Sequence, residues 1–432
     1  MKVLVVGSGG REHALVDAIL RDKGTQVYCA PGNAGISRQA ECVNIKSDDI
    51  SSLLRFAKSE GIDLTVVGPE QPLAAGIVDV FESRGRKIFG PRKLAARLET
   101  SKAFAKEFMK RWKIPTSDFM TFTIKQTDEL RRYLEDAKYP LVLKADGLAA
   151  GKGVSIVGSR SEAEAELEKF FVKKVFGESG ERIVVEEFMT GTEASVFAIT
   201  DGEDYVVLPP AQDHKRVGDN DLGKNTGGMG AFAPTPFVSP GDMEKVKSQV
   251  IERVIEGTRA EGYAFRGCLY CGLMLTEEGP KVVEFNARFG DPETQAVLQL
   301  IDSSVLGLLQ TAADRKIGSY KLTLNGAAAV CVIAASQGYP DHYEKGKEII
   351  GLDDNLPGTK IFHSGSVIKE GKTLTDGGRV LGITGVDKGG EIKRASELAY
   401  SRAQKLHFDG MFFRHDIGNK AINFELKKGP NR

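Results

Sequence analysis

The chain has 432 residues, 41% hydrophobic and 27% charged, the balance of a soluble globular protein too long for one core, so about two to four domains are expected. Lys+Arg and Asp+Glu are equal at 59 each, which excludes a bulk field for nucleic acid or an acidic membrane but leaves room for a local anion site. Five cysteines exclude a disulfide scaffold, and no apolar run approaches the ~18 residues that span a bilayer. The chain opens on a strand and a glycine turn rather than a signal peptide, so a cytoplasmic protein with no membrane or nucleic-acid partner is expected; a monomer is expected too, although nothing in the residues gives the oligomeric state.

Lys2 to Val6 reads as an apolar strand, followed by Gly7-Ser8-Gly9-Gly10-Arg11 and then helical spacing at Leu15, Ala18 and Ile19. Strand, glycine turn and helix form the layout of an anion site at a helix N-terminus. Glu12 stands where G-x-G-x-x-G needs its third glycine, so a dinucleotide cofactor is rejected. An anion on the amides of Gly9 and Gly10, with Arg11 or His13 beside it, and a plain tight turn both stay open. The alternation continues with a strand at 26–30, a helix marked by Ile50, Leu53, Leu54 and Ala57, and a strand at 64–67. The loop Gly68-Pro69-Glu70 follows, then a helix through Leu73, Ile77, Val80 and Phe81, and a strand at 87–89. Successive βα units predict a doubly wound parallel α/β domain over 1–100, with ligands at the strand C-termini.

From 101 the character changes. A helix begins at Ser101 with Lys102 near its start. The string KADGLAAGKGV joins strands at 141–144 and 154–157 by a glycine-rich hairpin with Lys144 at its base and Lys152 in its loop. Such a hairpin exposes backbone amides and suits a flap over phosphates; with no GK[ST] and no following helix, it is not a Walker loop. The strand IVVEEF carries Glu186 and Glu187, and Glu193 follows. AQDHKR then sets Asp213, His214, Lys215 and Arg216 just before a second glycine loop, NTGGMGA. Ser239-Pro240 reads as a helix start. Cys268 and Cys271 have C-x-x-C spacing in an apolar run and read as core cysteines.

In VVEFNARFGDPET, strand alternation puts Glu284, Asn286 and Arg288 on one face and Val283, Phe285 and Ala287 on the other, in the core. A carboxylate, an amide oxygen and a guanidinium in a row make a floor for a magnesium–phosphate group. From about residue 325 a smaller α/β module follows, with the turns GTKIFHSGS and DGGRVLGITG.

This order of pieces resembles the ATP-grasp superfamily. Four strings, GSGGREHA, KADGLAAGKGV, QDHKR with NTGGMGA, and VEFNARFGDPET, resemble its glycinamide ribonucleotide synthetase (phosphoribosylamine–glycine ligase) family over essentially the whole chain. The resemblance implies an N-terminal doubly wound parallel α/β domain (1–100), a central ATP-grasp domain (101–324) with a mobile Gly-rich lid subdomain at about 120–190, and a C-terminal α/β module (325–432). It implies ATP-dependent joining of glycine to 5-phosphoribosylamine through glycyl phosphate, in purine biosynthesis, with Mg2+ or Mn2+ as cofactor. Lys102, Lys144, Gly151 and Lys152 would meet ATP phosphates, Glu186 and Glu187 the adenine hinge, and Glu193 the ribose. Glu284 and Asn286 would hold the metal, although YCGLML on the preceding strand lacks a further acid that many superfamily members have. Arg288, Asp291 and Asp213 would carry catalysis around the acceptor amine and glycine, joined by Glu293, Lys215 and Gly228. Gly9, Gly10, Arg11 and Glu70 would bind the phosphoribosylamine. A related ligase with another acceptor and a non-catalytic nucleotide-binding regulator remain as alternatives.

Overall fold

The computed structural model describes residues 1–147, 153–173, 175 and 177–428. At the N-terminus five parallel strands lie in the order Glu41–Cys42, Gln26–Pro31, Lys2–Gly7, Leu64–Val67, Ile88–Phe89. Helices cover both faces, which is why Val3 to Val6 are fully buried and read as an unbroken apolar run. The winding reverses between Lys2–Gly7 and Leu64–Val67, so the crevice at their C-terminal ends lies between Ser8-Gly9 and Gly68-Pro69-Glu70. The single helix expected through Leu73 to Phe81 is two, Glu70–Ala75 and Ile77–Ser83, because Gly76 at φ +93° takes a left-handed turn between them; Val80 is exposed as a result.

The central region holds two antiparallel sheets. One runs Tyr205–Val207, Thr192–Thr200, Gly267–Thr276, Gly279–Asn286. The other runs Phe119–Thr123, Arg182–Glu187, Leu141–Ala145, Val154–Val157 and has its own core around Phe122, Leu134, Leu143 and Phe170. Ser239 caps the helix starting at Pro240 through a reciprocal box with Asp242.

The expected boundary at 325 divides the chain but not the sheets. Ala328–Ser336 pairs with Arg379–Asp387 and Met411–Phe412 and also with Gly230–Ala233, which in turn pairs with Gln212–Asp213. The main core is shared: Val5, Leu15, Phe197, Leu308, Cys331 and Phe362 belong to one cluster, so the N-terminal, central and C-terminal parts pack as a unit. All five cysteines are free, Cys268 and Cys271 within the core. Among the described residues no helix is long and apolar enough to cross a membrane.

Candidate active site

The strand Gly279–Asn286 forms the floor. Its register against Gly267–Thr276 pairs Gly272 with Glu284 and Leu273 with Val282, leaving Val283 as the extra residue of a β-bulge. Plain alternation places Val283 in the core; the bulge instead puts Val282 and Phe285 there and leaves Val283 on the cleft wall, its carbonyl accepting from Lys144 Nζ at 3.2 Å. Glu284 and Asn286 face the cleft together. Arg288 lies just past the strand, 3.0 Å from Glu99 and 3.4 Å from Glu70, and donates to Asn286 Oδ1 at 3.1 Å. Glu99 also accepts from the Ala287 amide at 2.7 Å, fixing the strand's exit.

Lys102 begins the helix Lys102–Arg111, whose cap Ser101 is held by Asp146 from the facing sheet; Asp146 Oδ1 also accepts from the Ala103 amide, a carboxylate at a helix N-terminus. Lys102 donates to the Gly147 carbonyl at 3.0 Å. Lys144 lies 2.8 Å from Glu186, whose other oxygen lies 2.8 Å from buried Lys106. The Glu186 carboxylate is thus turned into this ion pair, while the exposed Glu187 and the segment Phe188 to Glu193 line the cleft. Glu193 pairs with Lys215 at 2.9 Å. Burial works to raise the Glu284 carboxyl, but Lys215, Lys144, Lys102 and Arg288 around it hold it below the usual carboxylate range. Glu284 accepts no hydrogen bond among the described residues, so its oxygens are free for a cation or for the cations of a substrate.

On the opposite wall stand Asp213, Asp291 and Glu293. Burial, with Glu293 nearby, pushes Asp213 well up. Asp291 is held down: burial opposes it, but Arg379, Arg11 and a 2.8 Å hydrogen bond from Gln295 stabilise its carboxylate. Buried Glu293 accepts from Ser195, which also meets the Tyr270 hydroxyl. In the N-terminal loop the Gly9 amide already donates to Glu12 at 2.5 Å, and Arg11 pairs with Glu12 at 2.6 Å and donates to the Phe289 carbonyl. The anion at this helix start is therefore Glu12 itself, and Gly68 must be glycine because a Cβ there would lie 2.0 Å from its carboxylate. His13 turns away to the C-terminal module, accepting from the His363 amide at 2.8 Å.

These residues converge on one cleft of about 1720 Å³. Gly9, Arg11, Glu70, Lys102, Lys144, Glu186, Glu187, Glu193, Asp213, Lys215, Glu284, Asn286, Arg288, Asp291 and Glu293 all line it. Gly10 and Gly228 do not: Gly10 packs against Gln295 and Ser364, and Gly228 backs onto Asp213 and Pro292. Gly151 and Lys152 lie outside the described residues. Sequence reasoning passed over Glu99, Lys106, Asp146 and Arg379. Lys106 and Arg379 had signals, one helical turn after Lys102 and the turn DGGRVLGITG; Glu99 had none.

For a divalent ion the fit is partial and of a recognisable kind. Among the described residues no three His, Cys, Asp or Glu side chains are grouped to hold a metal. One free carboxylate, Glu284, and one amide oxygen, Asn286, suit an ion that completes its shell with water and substrate phosphates, the habit of magnesium.

A parallel N-terminal domain, a small sheet facing a larger one across the cleft, and a lysine-lined floor define an ATP-grasp enzyme. The same fold appears in the biotin carboxylase domain of Hydrogenobacter thermophilus 2-oxoglutarate carboxylase, at TM-score 0.74 and 16% identity over 95% of this chain and 91% of that one. The family models for the phosphoribosylglycinamide synthetase N domain, ATP-grasp (A) domain and C domain match residues 1–99, 100–294 and 329–420, and the chain belongs to this family. The phosphoribosylamine–glycine ligase of Caldanaerobacter subterraneus is 48% identical over 418 residues, 96% of this chain and 99% of the relative. That of Chlorobaculum tepidum is 45% identical over 430 residues, covering 98% and 100%. The crystal structure of the Thermotoga maritima phosphoribosylamine–glycine ligase superposes with TM-score 0.83 at 34% identity, over 96% of this chain and all of that one.

Proposed function

We propose that this cleft joins glycine to 5-phosphoribosylamine with conversion of ATP to ADP and phosphate, the glycinamide ribonucleotide step of purine biosynthesis. The observation that carries the reading is the meeting of a cationic nucleotide floor and an acidic acceptor wall in one cleft built by a single chain. The enzyme is read as a cytoplasmic monomer.

Glycine's carboxylate is a poor electrophile, so it first attacks the γ-phosphorus, forming glycyl phosphate and ADP. This step asks for positioning and charge neutralisation rather than a protein nucleophile. Lys102, Lys144 and Arg288 supply the positive charge, and Glu284 and Asn286 would hold a divalent ion, Mg2+ or Mn2+. When bound, that ion neutralises charge on the β- and γ-phosphates.

The amine of phosphoribosylamine then attacks the acyl carbon; the C–N bond forms, the C–O bond to phosphate breaks, and a proton leaves the nitrogen. The two aspartates divide the work by environment. Asp291, held as a carboxylate, binds and orients the amine, and Asp213, whose affinity for a proton is raised by burial and by Glu293, takes the proton as a carboxylate. Glycyl phosphate must be kept from water, and the small sheet with its own core is the lid. The arms of the phosphoribosylamine site are Arg11 and Glu70, with Gly9 and Gly10 shaping the loop. Release of ADP and phosphate by purified protein must require glycine, ATP and fresh phosphoribosylamine together; release without either acceptor substrate, or formation of AMP, sinks the reading.

A further inference from the structure

Lys106 is 2% exposed, yet it is an ammonium buried on the helix that carries Lys102. Burying a lysine is unfavourable unless its charge is matched, and an apolar side chain fills such a space as well. Its ammonium is met by three oxygens. Nζ donates to Thr116 Oγ1 and Ser117 Oγ, both at 2.8 Å, and lies 2.8 Å from Glu186 Oε2. Two hydrogen bonds and the ion pair turn this ammonium toward these partners rather than toward a substrate.

Lys144 differs. Its Nζ lies 2.8 Å from Glu186 Oε1 and donates one hydrogen bond, to the Val283 carbonyl at 3.2 Å, so donor capacity remains on the cleft wall. Glu186 therefore bridges two lysines, with Ser117 also donating to Oε2 at 2.9 Å. Two ammonium groups and one carboxylate leave one net positive charge. Without Lys106, Glu186 and Lys144 cancel.

We propose that Lys106 is a positioning residue for the nucleotide step: it neutralises Glu186 so that the charge of Lys144 stays available to the ATP phosphates. The inference rests on the assignment of Lys144 to those phosphates made above. A second link serves the same end, because the Thr116 hydroxyl that accepts from Lys106 donates to the Val282 carbonyl at 2.6 Å, tying the triad to the strand that carries Glu284. Burial pulls Lys106 down to about 8 while Glu186 opposes the fall; burial works to raise Glu186, but the two lysines beside it hold it below its ordinary value.

The test compares dissociation constants of magnesium–ATP and of adenosine on the full-length protein and on Lys106→Met, Glu186→Gln, the double variant and Lys144→Met. Lys106→Met should weaken ATP roughly tenfold to a hundredfold, the effect of one unit charge near a phosphate, and leave adenosine unchanged. The double variant restores the net charge, so its ratio of ATP to adenosine affinity should return to within about threefold of the native ratio. Native ATP affinity in Lys106→Met, or equal losses for ATP and adenosine, overturns the inference. If Lys106→Met does not fold, the double variant decides, since an unrecovered ratio there also overturns it. Lys144→Met separates the two readings: unchanged ATP affinity means that the phosphate role of Lys144 is wrong, whereas a loss there with none in Lys106→Met removes only the role of Lys106.

Discussion

Arg379 Nη2 lies 3.4 Å from Asp291 Oδ2, and Arg379 also donates to the Asp291 carbonyl at 2.8 Å. The same guanidinium donates to the carbonyls of Gly227 and Gly228, so one C-terminal side chain ties the second glycine loop to the turn after the floor strand. Burial opposes ionisation of Asp291, and Arg379 is the leading group that restores it. Arg379→Met should raise the Asp291 value, and the acid limb of kcat/KM for phosphoribosylamine should move to higher pH. An unmoved limb in an active, folded variant argues against the assignment of Asp291.

Asp213 is pushed the other way, by burial and by Glu293. Its proton affinity suits a base, so Asp213→Asn should lower kcat by about a hundredfold to ten-thousandfold while the KM for ATP stays near the native value. Isotope exchange between ADP and ATP, or single-turnover formation of ADP, would show whether the first step survives. Loss of both steps alike would mean that Asp213 does not act on the amine.

Glu284→Gln keeps the shape of the side chain and removes its charge. The barrier to turnover that depends on added magnesium or manganese should rise by several kcal/mol. Because four cations surround Glu284, the variant should also melt at a lower temperature, and full activity in the folded variant would exclude Glu284 from the metal site.

Three histidines are buried as neutral rings. Burial lowers His13 and His214 to about 4 and His363 to about 3, against an ordinary 6.5. The unfolded chain takes up protons below pH 6.5 that the folded chain refuses, so their contribution to stability is present above 6.5 and is lost as the pH falls toward 4. The slope is at most about 1.4 kcal/mol per pH unit for each histidine. Urea midpoints measured from pH 7 to pH 5 should follow it. His214, whose ring nitrogens have no hydrogen-bond partner among the described residues, is the cleanest probe: His214→Phe should reduce the slope by roughly a third.

The elements with strong periodicity were legible from the residues alone. The apolar runs at Lys2–Gly7, Gln26–Pro31 and Leu64–Val67, each closed by a glycine turn, lead directly to the parallel sheet and its crevice. What escaped depends on long-range partners. The bulge at Val283 arises from pairing with Gly272 and Leu273, and nothing in VVEFN announces it. Glu186 looks from its strand like a cleft residue; only the meeting with Lys106, carried by another segment, shows that its charge is already matched. Gly10 and Gly228 look like ligand amides because glycine permits close approach, yet here the approach is to Gln295 and Asp213.

The strand Gly230–Ala233 completes its sheet with Ala328–Ser336, which is made roughly a hundred residues later, and Gln212–Asp213 depends on that same strand. Translation therefore delivers the floor strand, Lys102 and Lys144 well before the support that fixes Asp213. A chain stalled on the ribosome before Ala328–Ser336 has emerged lacks the strand against which Gly230–Ala233, and through it Asp213, is paired.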